Sequence, residues 1–192
     1  TTVSVTSPGL TATTNAAHNV TVQQAFFTVS EETVGAGLQR SSSISLSGSD
    51  HGGTTVRVTS ADPARLLVSP NVSTAGSAFI DVVIPNGQTF ATFFIHGMEG
   101  AAGTVGVTTT ATGFVDKTTT INVTQAAFDI SGLNSSTTVN AADDAFTVRV
   151  GIANSLNTSL TELQARRAGA APLSVSLTSS DPTRATLTTT NG

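Results

Sequence analysis

The chain contains no cysteine, tryptophan or tyrosine, and Lys117 is the single lysine among its 192 residues. Without cysteine, neither disulfide bonds nor thiolate metal sites can form. Sugar-binding modules commonly stack sugar rings on exposed tryptophan or tyrosine, so the absence of both argues against that class. Charged residues make up 10% of the chain, against about 25% in an average soluble domain. The net charge of −4 provides no basic surface for nucleic acid.

Long apolar segments are also missing. No apolar run approaches the about 18 residues of a membrane-spanning helix, so the sequence predicts no insertion into a membrane. No signal peptide is visible. The opening TTVSVTS is typical of the middle of a strand, which indicates either a cleaved signal or an excerpt from a longer protein.

Apolar residues alternate with small polar residues along most of the chain. This period of two predicts half-buried β-strands separated by turns, and therefore an all-β protein built from sandwiches. The abundant threonine and valine suit a pleated surface because their side chains are stiff at χ1. The strand candidates are TVSVT (2–6), NVTV (19–22), SISLS (43–47), TVRVTS (55–60), IDVVI (80–84), TFATFFI (89–95), TVGVTTT (104–110), TINV (120–123), FTVRV (146–150) and LSVSLTS (173–179).

One segment departs from this alternation. SLNTSLTELQARRAGAAP (155–172) places Leu156, Leu160 and Leu163 at roughly helical spacing. Its alanine, glutamine and arginine residues also favour helix formation. We predict a short helix or an ordered loop there.

The sequence repeats itself at a period near 100 residues. TINVTQAAFDI (120–130) echoes NVTVQQAFFTV (19–29) at a constant offset of 101 (121 − 20). TVGVTTTATG (104–113) likewise echoes TVSVTSPG (2–9). VSLTSSDPTR (175–184) echoes VRVTSADPAR (56–65) at an offset of 119 (181 − 62), because the later copy carries the extra segment at about 155–172. A fixed period of this size marks a tandem array.

The echoes divide the chain into three units. Residues 1–22 match the final two strands of a unit, residues 23–124 a complete unit, and residues 125–192 a unit without its last strands. The fold class predicted is thus all-β, with tandem sandwiches and partial units at both ends. Either longer flanking sequence completes the partial units, or residues 1–22 of one copy complete residues 125–192 of the next.

The stretch 80–123 resembles the bacterial immunoglobulin-like repeats of large cell-surface and extracellular proteins. The resemblance rests on a Pro85-Asn86-Gly87-Gln88 hairpin, the strand at 91–95, a glycine-rich turn at 97–103 and Gly113-Phe114 before a closing strand. Asn-Gly is suited to a tight hairpin because both residues tolerate positive φ. The resemblance implies immunoglobulin-like sandwiches, an extracellular location, a spacer, stalk, adhesive or lattice role, and no enzyme activity.

Alternation in TFATFFIHG (89–97) separates its aromatic residues. If Phe93 and Ile95 fill the core, Phe90 and Phe94 are exposed. Exposed aromatic residues mark contact surfaces, although a neighbouring loop or domain of the same chain is the alternative cover.

The repeat sorts further phenylalanines in the same way. Phe27 matches Phe128, and both are predicted to lie in cores, whereas Phe26 matches Ala127 and is predicted to face outward. The candidate interface residues are therefore Phe26, Phe90 and Phe94.

Several residues are candidates for modification or metal binding. His18, His51 and His96 lie far apart and are predicted to be isolated surface or loop residues, since a metal site needs convergent ligands. Calcium needs six or more oxygen ligands and no D-x-D-x-D-G loop exists, so we predict no metal or cofactor. A calcium site shared between units at Asp143 and Asp144 stays the alternative, with Glu31-Glu32 of similar standing.

The candidate N-glycosylation sites are Asn19, Asn71, Asn122, Asn134 and Asn157, all in N-x-[ST] triplets that a chain rich in threonine, serine and asparagine also yields by chance.

No catalytic motif stands out. The chain has neither a G-x-S-x-G elbow nor a phosphate loop. Asp62 and Arg65 recur as Asp181 and Arg184, each in D-P-x-R. We interpret this motif as a turn in which arginine reaches back to aspartate, rather than as a functional pair.

These observations predict a non-enzymatic structural repeat protein of an extracellular filament, sheath, stalk or surface layer. Its expected partners are copies of itself or neighbouring repeats, with surface glycans as a further option. Strand complementation would provide head-to-tail assembly. The alternative is an adhesin, or a glycan- or calcium-binding module of a secreted protein.

Overall fold

The computed structural model describes residues 1–189 and confirms an all-β fold. The prediction of a short helix or an ordered loop at 155–172 is wrong where the segment pairs as strands, at Leu160–Leu163 and Ala165–Arg166, and no α-helix occurs in the described residues. The strands are β1 (Thr2–Ser4), β2 (Ala17–Asn19), β3 (Ala25–Val29), β4 (Glu32–Gly35), β5 (Leu38–Leu46), β6 (Thr54–Ser60), β7 (Leu66–Ser69), β8 (Phe79–Ile84), β9 (Phe90–Gly97), β10 (Gly103–Thr110), β11 (Phe114–Val115), β12 (Lys117–Thr124), β13 (Ala127–Ser131), β14 (Thr147–Ala153), β15 (Leu160–Leu163) and β16 (Ala165–Arg166), with one 3-10 turn at Thr14–Ala16.

Two sheets form a sandwich from the strands between β3 and β12. One sheet has the order β4-β12-β10-β6-β8, and the other has the order β11-β3-β5-β9-β7, with β16 added beside β5. Pairing is antiparallel except between β4 and β12 and between β11 and β3. The chain crosses from one sheet to the other between β3 and β4, so that this short stretch contributes to both sheets.

The alternating pattern builds the core between these sheets. In β10, Val105 and Val107 are buried while Gly106 between them is only partly buried, as a period of two requires. The buried apolar residues are Phe27, Val29, Val34, Ile44, Leu46, Val56, Val58, Leu66, Val68, Ile80, Ile84, Phe93, Ile95, Val105, Val107, Ile121 and Val123.

The turn at Pro85–Gln88 forms, but it does not close a hairpin. Gly87 has a φ of 86°, and the Gln88 amide donates to the Pro85 carbonyl. However, β8 pairs with β6 in the five-stranded sheet, whereas β9 pairs with β5 and β7 in the other. The predicted hairpin is therefore wrong, and the turn instead carries the chain between the two layers.

Two smaller sheets flank the sandwich in sequence. β1 pairs with β2, and β13, β14 and β15 form a three-stranded sheet. Phe128, predicted to be a core residue, is 67% exposed, because no second layer covers this sheet within residues 1–189. The strand predicted at 173–179 is also absent. Its counterpart β6 is held between β8 and β10, and the described residues after 179 provide no such neighbours.

Phe93 and Phe90 offer a test of the sandwich because they occupy opposite faces of β9. Phe93 is fully buried, so Phe93→Ala should lower the free energy of unfolding by about 3–5 kcal/mol. Phe90 is 57% exposed, and Phe90→Ala should change it by no more than about 0.5 kcal/mol. Urea unfolding of both variants measures the difference, and equal destabilisation would contradict the assignment of the two faces.

Candidate functional site

The three candidate interface residues lie on one outer face of the six-stranded sheet. Phe26 belongs to β3 and Phe90 and Phe94 to β9, and these strands flank β5 on either side. Phe26 is 48% and Phe90 57% exposed, and Phe94 is partly buried. The predicted exposure therefore holds for Phe26 and Phe90, whereas Phe94 shares their face but is partly buried.

Serines of β5 lie between these aromatic residues. Ser45 lies opposite Phe90 and Ser41 opposite Phe94 in the β5–β9 ladder. Ser43 lies between them on the same face, because side chains alternate along a strand. We call the three phenylalanines and these serines the phenylalanine face. It carries apolar rings above a floor of small, uncharged side chains.

A second feature is the segment 160–168, which we call the arm. Its first part is β15 of the three-stranded sheet, and its second part reaches the sandwich, where Ala165 lies opposite Gln39 and Arg166 opposite Leu38. The Arg167 amide also donates to the Gly37 carbonyl, over 3.2 Å. The arm thus extends the six-stranded sheet along the part of β5 that β3 leaves unpaired. Sequence reasoning missed this contact.

Gln164 completes the attachment of the arm. Its amide accepts a hydrogen bond from the Gly35 backbone over 2.8 Å and donates one to the Thr33 carbonyl over 3.0 Å. These are the two bonds that a neighbouring strand would make with the edge of β4. Gln164 is only 6% exposed, so the bonds are shielded from water.

Charged residues concentrate at this junction. Arg40 contacts both Glu32 of β4, at 2.8 Å, and Glu162 of the arm, at 2.6 Å. Glu99 contacts Arg166 at 3.2 Å and Arg167 at 2.6 Å. The whole chain has eight basic and twelve acidic residues, and six of these charged residues meet here. The hydrogen bond from Arg167 lowers the pKa of Glu99.

His96 lies at the same junction, and its predicted surface or loop location is wrong. It is fully buried in β9 beside Gly76, and neither ring nitrogen has a hydrogen-bond partner among residues 1–189. Burial, with a smaller contribution from the charge of Arg167, lowers the pKa of His96 to about 4. The imidazole is therefore neutral at pH 7. Of the other two histidines, His18 is exposed and His51 is partly buried in a turn.

The two D-P-x-R motifs form the same turn, as the structural interpretation predicts. Arg65 Nε lies 3.2 Å from Asp62, and Arg184 Nε lies 3.2 Å from Asp181. In both turns the arginine amide also donates to the aspartate carbonyl over 3.1 Å. Each arginine forms an ion pair with the aspartate of its own motif, so the pairs stabilise the turns.

The candidate glycosylation sites occupy different environments. Asn122 is exposed on β12 between two buried residues. Asn134 donates to Asp144 over 2.8 Å, which engages its amide nitrogen. Asn71 accepts bonds from Ser73 and Thr74 in a turn. The remaining two, Asn19 and Asn157, are exposed.

The acidic residues do not converge. Asp144 accepts two hydrogen bonds from Asn134. Within residues 1–189, no group of three or more histidine or acidic side chains is arranged to hold a metal ion. No helix in this range has the length and apolarity to cross a membrane.

Comparison with known proteins adds no family assignment: no family model matches the chain, and a search of curated proteins finds no significant match.

One signal in the sequence could have identified the arm. Glu162, Arg166 and Arg167 form a dense charged group in a chain that has few charges. The spacing of Leu156, Leu160 and Leu163 concealed this signal because it fits a helix.

Gln164→Ala tests the attachment of the arm. The substitution leaves the buried Gly35 amide without its partner, which costs about 1–3 kcal/mol. The Thr33 carbonyl loses the bond from Gln164 but keeps a hydrogen bond from Arg40 over 3.4 Å. Hydrogen exchange at Gly35 should accelerate strongly. Gln125→Ala removes an exposed glutamine and is the matched control, which should leave this exchange unchanged. Unchanged protection in Gln164→Ala would contradict the described contact.

His96 predicts an acid-sensitive fold. Its pKa is about 4 in the folded protein against an ordinary value of 6.5, so the unfolded chain binds more protons between these pH values. Above pH 6.5 the free energy of unfolding does not depend on His96 protonation. As the pH falls from 6.5 toward 4, the free energy of unfolding decreases by about 3 kcal/mol. Urea unfolding between pH 7 and pH 4 should show this slope, and His96→Leu should flatten it. His18→Leu is the control, and a His96→Leu slope equal to that of the control would refute the assignment.

Proposed function

We propose that the chain is a non-enzymatic structural repeat protein, made of tandem immunoglobulin-like sandwiches in an extracellular filament, sheath, stalk or surface layer. The arm is the observation that carries this proposal. It joins the segment after residue 124 to the preceding sandwich by strand pairing at β5, by Gln164 and by ion pairs to Arg40 and Glu99. A connection of this kind holds successive units in a set orientation, as an extended scaffold requires.

The order of strands supports immunoglobulin-like units. The order β3-β5-β9-β7 corresponds to A-B-E-D of that fold, and β12-β10-β6 corresponds to G-F-C. Strand β8 departs from the basic pattern, since it widens the second sheet at β6 although it follows β7 in the chain.

Repetition of local structure supports units at 1–22, 23–124 and 125–192. The D-P-x-R turns share their hydrogen bonds. The β13–β14 ladder also repeats the β3–β5 ladder, since Phe128 faces Val150 as Phe27 faces Leu46. Side chains that repeat in the same pairs support the proposal that the two units share a fold.

The units assemble either through neighbouring repeats of one chain or through other copies joined head to tail. The phenylalanine face provides a lateral contact in both cases, because half-exposed aromatic rings favour burial against another protein surface.

Antibodies against the chain test the location. They should label continuous structures on intact, unpermeabilised cells of the source organism. The same antibodies on permeabilised cells are the control for total protein. Labelling that requires permeabilisation would refute the extracellular role.

The competing proposal is a calcium-binding adhesive module with its site near Asp143 and Asp144. It predicts a melting temperature that rises with added calcium and falls with a chelator. An unchanged melting temperature in both conditions would exclude it and would leave the structural proposal in place.

A further inference from the structure

The β13–β14 ladder of the three-stranded sheet repeats the β3–β5 ladder of the sandwich, but no second sheet packs on it within residues 1–189. Each ladder has one apolar face. The directly opposed pairs are Phe27–Leu46 and Val29–Ile44 in the sandwich, and Phe128–Val150 and Ile130–Val148 in the later sheet. Phe27 is 3% and Val29 6% exposed, whereas Phe128 is 67% and Ile130 49% exposed. The later face thus repeats a core face that is open to solvent.

In the sandwich, the cover of this face comes from β10 and β12. Ile121 and Val123 of β12 belong to the same buried cluster as Phe27 and Val29. The Thr119 hydroxyl of β12 donates to the Val29 carbonyl over 3.2 Å, which joins the two sheets directly. β12 also runs parallel to β4, where Val123 lies opposite the fully buried Val34.

Residues 1–22 repeat the sequence of that cover. Val20 and Val22 correspond to Ile121 and Val123, and Val3 and Val5 correspond to Val105 and Val107. Their exposed fractions are 60% for Val3, 69% for Val5, 44% for Val20 and 84% for Val22. The cover segment and the open face therefore do not bury one another within a single chain.

The valines of this hairpin share one face. Val3 lies opposite His18, and the Val20 amide bonds to the Thr1 carbonyl, so alternation brings Val3, Val5 and Val20 to the same side. Relative to the β10–β12 ladder, the hairpin is shifted by two residues, and a shift of two keeps every side chain on its face.

We infer that the β1–β2 hairpin of a second copy covers the open face of the β13–β14 sheet and completes it as a sandwich. The inference rests on the proposed function and names its partner, which is a second copy of this chain. Val20 and Val22 then take the places of Ile121 and Val123. Val139 is the counterpart of Val34 in the repeated Thr-Val pair (33–34 and 138–139), and it is fully exposed at present. It would be buried beside the incoming strand.

The absence of cysteine makes thiol cross-linking a clean test of this contact. Thr119 and Val29 touch across the sandwich, and their counterparts at the offset of 101 are His18 and Ile130. His18→Cys and Ile130→Cys are made in separate chains, one isotopically labelled, and are mixed with a short bis-maleimide. Mixed dimers identified by mass should dominate. Val83→Cys, which is 70% exposed on β8, replaces Ile130→Cys as the control. A yield no higher than in this control would overturn the inference.

Matched substitutions on the hairpin sharpen the result. Val20→Lys places a charge in the docked face, and should reduce the yield of mixed dimer at least about tenfold when it is added to the His18→Cys chain. Thr21→Lys places the same charge on the opposite face and should change the yield by less than about twofold. Equal effects of the two substitutions would overturn docking through the valine face.

Expression in cells of one chain that carries both His18→Cys and Ile130→Cys, treated with the same bis-maleimide, identifies the source of the cover. A second copy as partner produces a ladder of cross-linked multiples. Cover by a later repeat of the same chain produces no ladder and overturns the inference. Surface labelling by antibodies is scored separately, so that a labelled array without a ladder would remove this mode of assembly and leave the proposed function standing.

Discussion

The structure depends on which segments provide hydrogen-bond partners for the backbone of β5 along one of its edges. β3 pairs only with Ile44–Leu46, because the chain then crosses to the other sheet to form β4. The crossing leaves Leu38 and Gln39 of β5 without a neighbour on that side, and buried backbone groups without partners are costly. The arm fills this position, and Gln164 satisfies the adjacent edge of β4. The same crossing that closes the sandwich therefore creates the place where the following segment attaches.

Hydrogen bonds and ion pairs contribute differently to this junction. Partly exposed ion pairs such as Arg40–Glu162 add at most about 1 kcal/mol each, so they do not dominate the attachment. The shielded bonds of Gln164 and the short ladder of β16 are harder to replace, because their loss leaves buried polar groups without hydrogen-bond partners. The charges instead select the register: the acidic Glu162 meets Arg40, and the basic Arg166 and Arg167 meet Glu99. In a chain with so few charges, alternative pairings are scarce.

Local patterns predicted the strands and their faces well. Phe93 and Ile95 are buried and Phe90 is exposed, as alternation along β9 requires. The D-P-x-R turns form because their hydrogen bonds span only a few residues. Predictions failed where the outcome depends on distant residues. The Pro85–Gln88 turn has the expected positive φ at Gly87, yet which strands pair on either side of it is decided by β5 and β6.

The sequence by itself determined the all-β class, the alternation of buried and exposed side chains, and the repeated local turns, because each depends on a period of two or on neighbours within one turn. Only the tertiary structure decided that His96 is buried without a hydrogen-bond partner in the described part of the chain, that the arm forms strands, and that Phe26, Phe90 and Phe94 share one face. These properties arise from pairing between strands that are far apart in the chain. Hydrophobic periodicity marks a face as apolar, but it carries no information about which distant segment covers that face.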